Sequence, residues 1–128
     1  MTRRHALAAA LYVCIPAAAS AEPIEKALAK LPPEFRSHQA CILRGLDAVK
    51  REPVLRKADR MNTSIFNQAV LDGTKLTATG GAVRSSGQWY ALSFSCDLTR
   101  DWMKATSFSF ALGNKIPERD WDRLGLWR

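Results

Sequence analysis

The sequence predicts an α+β domain in which one main amphipathic helix packs on a small antiparallel β-sheet of three to four strands. A short C-terminal helix and one disulfide complete it. Three observations carry this prediction. Apolar residues recur every three or four positions over residues 33–50, the period of a helix with one buried side. Two later runs, Tyr90-Leu92-Phe94-Cys96 and Thr106-Phe108-Phe110-Leu112, alternate with small residues, as strands covered on one face do. Cys41 and Cys96 are the two cysteines that remain once an export leader is removed.

That leader is read over residues 1–21: basic Arg3 and Arg4, an apolar stretch from Ala6 to Ile15, and Ala19-Ser20-Ala21 as a small-residue cleavage site. Cleavage after Ala21 removes Cys14 and delivers two thiols to an oxidising compartment, where they are expected to pair. Leu11-Tyr12-Val13 before Cys14 is too bulky for a lipidation site, and the apolar stretch is too short to span a bilayer. The expected product is a released periplasmic protein, a single domain over residues 22–128, with no stable transmembrane segment. Losing Arg3 and Arg4 takes the Lys/Arg count from 19 to 17 against 12 Asp/Glu, so the charge falls from +7 to +5. The scattered basic residues and the export exclude nucleic acid as the expected partner. An envelope protein or an anionic glycan fits the surplus.

The elements follow in order. Ile24, Ala27, Leu28 and Leu31 keep helical spacing until Pro32-Pro33. The main helix begins with proline in its first turn and Glu34 at its positive end. Its stripe is Phe35, His38, Ile42, Leu46 and Val49, with Arg36, Arg44, Asp47 and Lys50 facing elsewhere, and Gly45 leaves room for a strand to approach. Pro53 closes it. Met61, Thr63 and Ile65 alternate, which predicts a strand followed by an irregular crossing up to Leu71. Asp72-Gly73 marks a turn. Residues 74–83 are extended, with Leu76, Ala78, Gly80 and Ala82 on one face, small enough for something large to pack over them. Arg84-Ser85-Ser86-Gly87 is a tight connection into the strand that holds Cys96. Residues 97–102 turn the chain into the second alternating run, which Gly113-Asn114 ends. Pro117 starts a short helix carrying Trp121 and Leu124, after which Leu126 and Trp127 fold back onto the core.

Little in this sequence carries catalytic chemistry. His38 is the single histidine after the leader, and both cysteines are committed to a bridge, so neither a metal centre nor a Cys-x-x-Cys redox pair is expected. His38 on an apolar stripe reads as a core or rim histidine rather than the base of a nucleophilic site. Asp97, Asp101, Asp120 and Asp122 have basic neighbours and read as surface ion pairs. Gly80-Gly81 lacks the rest of a phosphate-binding loop and reads as a bulge or close packing. No cofactor and no catalytic residue is assigned.

The aromatic residues are more suggestive. Trp89 and Tyr90 leave opposite faces of one strand, so Trp89 stands near Arg84 and Gln88. These three form the candidate binding surface, with charge from arginine and stacking area from tryptophan. The alternative is that the C-terminal segment lays Trp121 and Trp127 over that face and covers Trp89.

The segments His38-Gln39-Ala40-Cys41, Ala58-Asp59-Arg60-Met61, Gly81-Ala82-Val83-Arg84, Gly87-Gln88-Trp89-Tyr90 through Cys96, Phe108-Ser109-Phe110 and Gly113-Asn114-Lys115-Ile116-Pro117 together resemble a domain-of-unknown-function family, DUF930. It is found mainly in rhizobia and related alphaproteobacteria. The resemblance implies an exported protein and supplies no catalytic residues. The expected function is a non-enzymatic periplasmic protein binding an envelope component or partner protein. The rival is a small hydrolase or lyase acting on cell-wall or extracellular glycan, favoured by a concave site that sets His38 or Asp101 beside another acid and Tyr90.

Overall fold

The computed structural model describes residues 23–128; the leader assigned to residues 1–21, with Cys14, lies outside them. Helix α1 covers Ile24–Lys30 and α2 covers Pro33–Ala48, followed by 3-10 turns at Val49–Arg51 and Pro53–Leu55. Five strands follow: β1 Ala58–Asn62, β2 Val70–Asp72, β3 Lys75–Ser85, β4 Gln88–Leu98 and β5 Ala105–Lys115. After a 3-10 turn at Glu118–Asp120, α3 covers Trp121–Leu124. The sheet runs β1-β3-β4-β5 with every pair antiparallel, and β2 pairs with the far end of β3. The expected layout holds, with β2 as the additional strand: three residues whose extension comes from pairing with β3 and not from any pattern of their own.

The disulfide joins α2 to β4. Cys41 and Cys96 are bonded with their Cα atoms 6.1 Å apart, inside the reach of such a bridge. Around it lies the main core: Ala40, Val49, Leu55 and Met61 meet Leu76, Ala78, Val83, Leu92, Phe94 and Leu98. Tyr90, Phe108, Phe110 and Leu112 flank it.

The helix is turned relative to the face its large residues suggest. The buried positions of α2 are Ser37, Ala40, Cys41 and Gly45, a narrow stripe of small side chains. Ile42 and Leu46 are only half-buried, and Phe35 is 65 % exposed. The reason is close approach. A Cβ on Gly45 would lie 2.7 Å from the Phe108 ring, so small residues let the helix settle onto β5 while the short disulfide holds Cys41 against β4. Arg36 does not simply face solvent: its guanidinium donates to the Leu28, Ala29 and Leu31 carbonyls at 3.1–3.3 Å and to the Asp101 carbonyl at 3.0 Å. It thereby closes the open carbonyl end of α1 and ties that helix to the β4–β5 loop.

Strand β3 departs from simple alternation. An extra residue between Ala78 and Gly81 forms a bulge against β4, which reverses the faces that follow. Leu76, Ala78 and Val83 line the main core, while Ala82 belongs to a second cluster behind the sheet. The expected single face of Leu76, Ala78, Gly80 and Ala82 is therefore split. Gly80-Gly81 is the bulge: a Cβ on Gly80 would meet the Asn67 nitrogen at 2.6 Å, and one on Gly81 the Asn62 carbonyl at 2.9 Å. The Gly80 carbonyl accepts the N–H groups of both Ile65 and Phe66. Gly113-Asn114 does not end β5, which runs on to Lys115.

Replacing both cysteines, Cys41→Ala with Cys96→Ala, lowers stability by about 2–4 kcal/mol, read as a fall in the urea midpoint under oxidising conditions. Gly45→Ala lowers it by about 1–3 kcal/mol through crowding of Phe108, although alanine is the better helix former; an unchanged or raised midpoint would show that the ring can yield.

Candidate functional site

Arg84, Gln88 and Trp89 do come together at the β3–β4 hairpin. Ser86 at φ 51° and Gly87 at φ 72° form the two-residue turn that suits strand twist, and the register sets Arg84 opposite Trp89 and Ser85 opposite Gln88. Arg84 is already engaged. Its Nε and Nη2 donate to the two Asp59 carboxylate oxygens at 2.9 and 2.7 Å, a bidentate clamp. The guanidinium hydrogen bond holds the Asp59 carboxyl below its usual range, and Arg84 lies 6.0 Å from the Trp89 ring centre.

Trp89 is 1 % exposed: the arrangement realised is the covered one. The C-terminal segment crosses the back of the sheet, where Ala82, Trp89, Ile116, Trp121 and Leu126 form the second apolar cluster. Ile116 N–H donates to the Trp89 carbonyl, Trp121 Nε1–H to the Ile116 carbonyl, and Leu126 N–H to the Trp121 carbonyl. Gly125 at φ 72° reverses the chain after α3. Trp89 Nε1–H then donates to the Trp127 carbonyl at 2.8 Å, with the two rings edge to face 5.8 Å apart. Trp127 itself is 53 % exposed. Trp89 is thus the anchor of the chain end and presents no open ring face.

A concave site lies elsewhere, between the N-terminal half of α2 and the crossing after β1. It encloses about 420 Å³ and is lined by Glu34, Phe35, His38, Gln39, Met61, Asn62, Thr63, Ser64 and Gln68 among others. Its floor is held by side chains. His38 Nδ1 and Thr63 Oγ1 are 2.7 Å apart, Asn62 Oδ1 accepts the Ser64 N–H, and Ser64 Oγ accepts the Ala69 N–H. The side-chain amides of Gln39 and Gln68 have no hydrogen-bond partner among the described residues, and exposed Phe35 stands on the rim. The periodicity of α2 flagged Phe35 and His38, but Gln39, Gln68 and the crossing carried no signal because their meeting depends on the rotation of the helix.

Glu34 and His38, one helical turn apart, both line this cleft. Partial burial holds His38 below its ordinary value of 6.5, opposed by the nearby Glu34. Among the described residues Tyr90 does not line the cleft and Glu34 is the one carboxylate that does, and Thr63 Oγ1 lies against His38 in a residue only 6 % exposed. Asp101 lies by the β4–β5 loop, its carboxylate accepting Thr99 Oγ1–H and Met103 N–H. Asp97 pairs with Lys75 and Asp120 with Arg123, at 3.9 and 3.5 Å.

The chain matches the family described as Domain of Unknown Function (DUF930) over residues 28–126. It belongs to that family. The match runs from α1 to Leu126 and so takes in the disulfide, the cleft and the cluster around Trp89. No curated protein and no solved structure matches the chain. Among the described residues no helix is long and apolar enough to cross a membrane, and no group of three or more His, Cys, Asp or Glu side chains converges as metal ligands.

Because His38 binds its proton less readily in the fold than in the unfolded chain, stability from this group is fully present above 6.5 and declines as pH falls below that value. The thermal midpoint of the protein therefore drops on acidification through that window, and His38→Asn flattens the dependence; an equal drop in the variant would place the titrating group elsewhere.

Proposed function

We propose that this DUF930 protein is a non-enzymatic periplasmic binding protein and that the cleft between α2 and the β1 crossing takes up a glycan component of the cell envelope. One observation carries the reading: a half-open cleft of about 420 Å³ sets the exposed Phe35 ring with two side-chain amides that have no partner among the described residues. Ligand sites of such size combine an apolar surface with a few convergent polar groups. A sugar ring has an apolar face to lay on an aromatic ring and hydroxyl groups that both donate and accept, which matches Phe35 with Gln39 and Gln68. The floor is already ordered, because Thr63 Oγ1 bonds His38 Nδ1 and Ser64 Oγ, Asn62 Oδ1 accepts the Ser64 N–H, and Ser64 Oγ accepts the Ala69 N–H. The positive surplus of the chain draws an anionic glycan from a distance, while uncharged groups make the contact next to Glu34.

Catalysis fits the same residues less well. Two-carboxylate glycoside cleavage requires a second acid across the bond, and Glu34 has none in the cleft. The hairpin face of Arg84, Gln88 and Trp89 also offers less to a ligand, since Asp59 occupies the guanidinium and the chain end covers the tryptophan.

Titration of the protein with soluble cell-wall glycan fragments, followed by residue-resolved NMR shifts, tests the reading. Shifts are expected at Phe35, Gln39 and Gln68, and Phe35→Ala weakens binding about tenfold while Arg84→Ala leaves it unchanged. The reverse pattern would move the contact to the hairpin, and fragment cleavage during the titration would favour the hydrolase or lyase.

A further inference from the structure

We propose that the outer edge of β5 pairs with the same edge of a second copy of this chain, antiparallel about a two-fold axis at Phe110. The backbone geometry shows which groups are offered. Strand β4 carries no extra residue, since the bulges against it lie in β3 and β5. Leu98 N–H donates toward β3, to the Thr74 carbonyl, and the Trp89 carbonyl accepts from Ile116 on the β5 side. Successive residues of an antiparallel strand present their N–H and C=O to alternate sides. Even-numbered residues of β4 therefore turn to β3 and odd-numbered ones to β5. Ser107, Ser109 and Ala111, which lie opposite Asp97, Ser95 and Ser93, are the β5 residues bonded to β4. Phe108, Phe110 and Leu112 turn their backbone groups outward, to an edge where no described strand pairs.

The two edges of this sheet are treated differently. Opposite β5, the edge is divided between β1, which carries Asp59 and Arg60, and three-residue β2, which ends in Asp72. The crossing after β1 interrupts it. Short strands, charges and breaks are the devices that keep an edge from pairing. Strand β5 has eleven residues and, from Ala105 to Asn114, neither a charge nor a proline. It is the long, unguarded edge.

The occupant is argued from the pattern, which reads alike in both directions about Phe110. Antiparallel self-pairing there sets Phe110 against Phe110 and Phe108 against Leu112 on the helix side, and Ser109 against Ala111 and Ser107 against Gly113 on the other. Each facing outward pair exchanges two backbone hydrogen bonds. A slip of one residue would set Phe110 opposite Ser109 or Ala111 and turn bonded groups away from each other. The end of α2 at Asp47 and Ala48, with Arg51 of the 3-10 turn after it, lines one cleft with Thr106, Ser107 and Phe108, to one side of the axis at Phe110. In the pair, the two helix ends would stand over opposite ends of the joined strands, roughly 20 Å apart along them. The charges this register brings near one another are alike: Lys115 falls opposite Ala105, beside Lys104 of the other copy, and each Arg51 guanidinium stands 6.0 Å from its own Phe110 ring at the axis. Salt therefore strengthens the association by screening them.

Sedimentation equilibrium over a concentration series, combined with residue-resolved amide exchange at its two ends, tests this. The expected result is a dimer that tightens with salt. The amides of Phe108, Phe110 and Leu112 should slow on the order of tenfold or more at high concentration, while those of Ser107, Ser109 and Ala111 are slow throughout. Phe110→Lys places like charges face to face at the axis and should give a monomer that retains the Ser107, Ser109 and Ala111 protection. The exchange pattern of the unaltered protein decides the matter even where that variant does not fold. A monomer throughout, a dimer in which the three outward amides stay fast, a dimer that loosens with salt, or protection arising only when a different protein is added would each overturn the assignment.

Discussion

The covalent tie between Cys41 and Cys96 sets the distance and the rotation of α2 over the sheet, and most of the molecule follows from that placement. A bridge with Cα atoms 6.1 Å apart brings the helix backbone to the sheet more closely than leucine and phenylalanine contacts would. Only Ser37, Ala40 and Gly45 can share a face with the cysteine at that separation. The larger residues are displaced to the flanks. Phe35 is carried outward to a rim and His38 to a floor, and the space opened between them and the β1 crossing is the cleft. Closing the loop between the two cysteines is worth about 4 kcal/mol in chain entropy, a large part of the roughly 5–15 kcal/mol that holds a domain of this size together.

A second constraint acts behind the sheet. The bulge at Gly80-Gly81 lets one strand serve two layers, Leu76, Ala78 and Val83 toward the helix and Ala82 away from it. Beyond the bulge the back face carries Ala82, Arg84 and Trp89, and the chain end covers Ala82 and Trp89. Before it the back face carries Thr77, Ser95 and Ser109, paired across three strands, and remains without a covering layer among the described residues. Small hydroxyl side chains need no such layer, whereas an indole does. The C-terminal segment therefore goes where the large apolar surface is, and Trp89 serves as its anchor through one ring contact and one hydrogen bond.

The three candidate surface residues show how far local reading extends. Their proximity was legible, because strand alternation and a two-residue turn place Arg84, Gln88 and Trp89 together in any hairpin of this sequence. Their accessibility was not. Asp59 reaches Arg84 from a strand 25 residues earlier, and Trp127 reaches Trp89 from 38 residues later. The cleft was less legible still: Phe35 and His38 carried a periodic signal, but Gln39 and Gln68 are ordinary polar residues until two distant segments face each other.

The amino-acid sequence by itself determined the α+β class, the partners of the disulfide, the main helix, the alternating strands and the hairpin turn. Each of these depends on periodicity, on backbone preferences or on a count of thiols, all of which act over a few residues. The tertiary structure alone decided the rotation of α2, the change of face within β3, the three-residue β2 and the covering of Trp89. Those outcomes depend on how closely backbones approach and on which distant group reaches a buried donor first, and no local pattern encodes a distance between segments that meet only on folding.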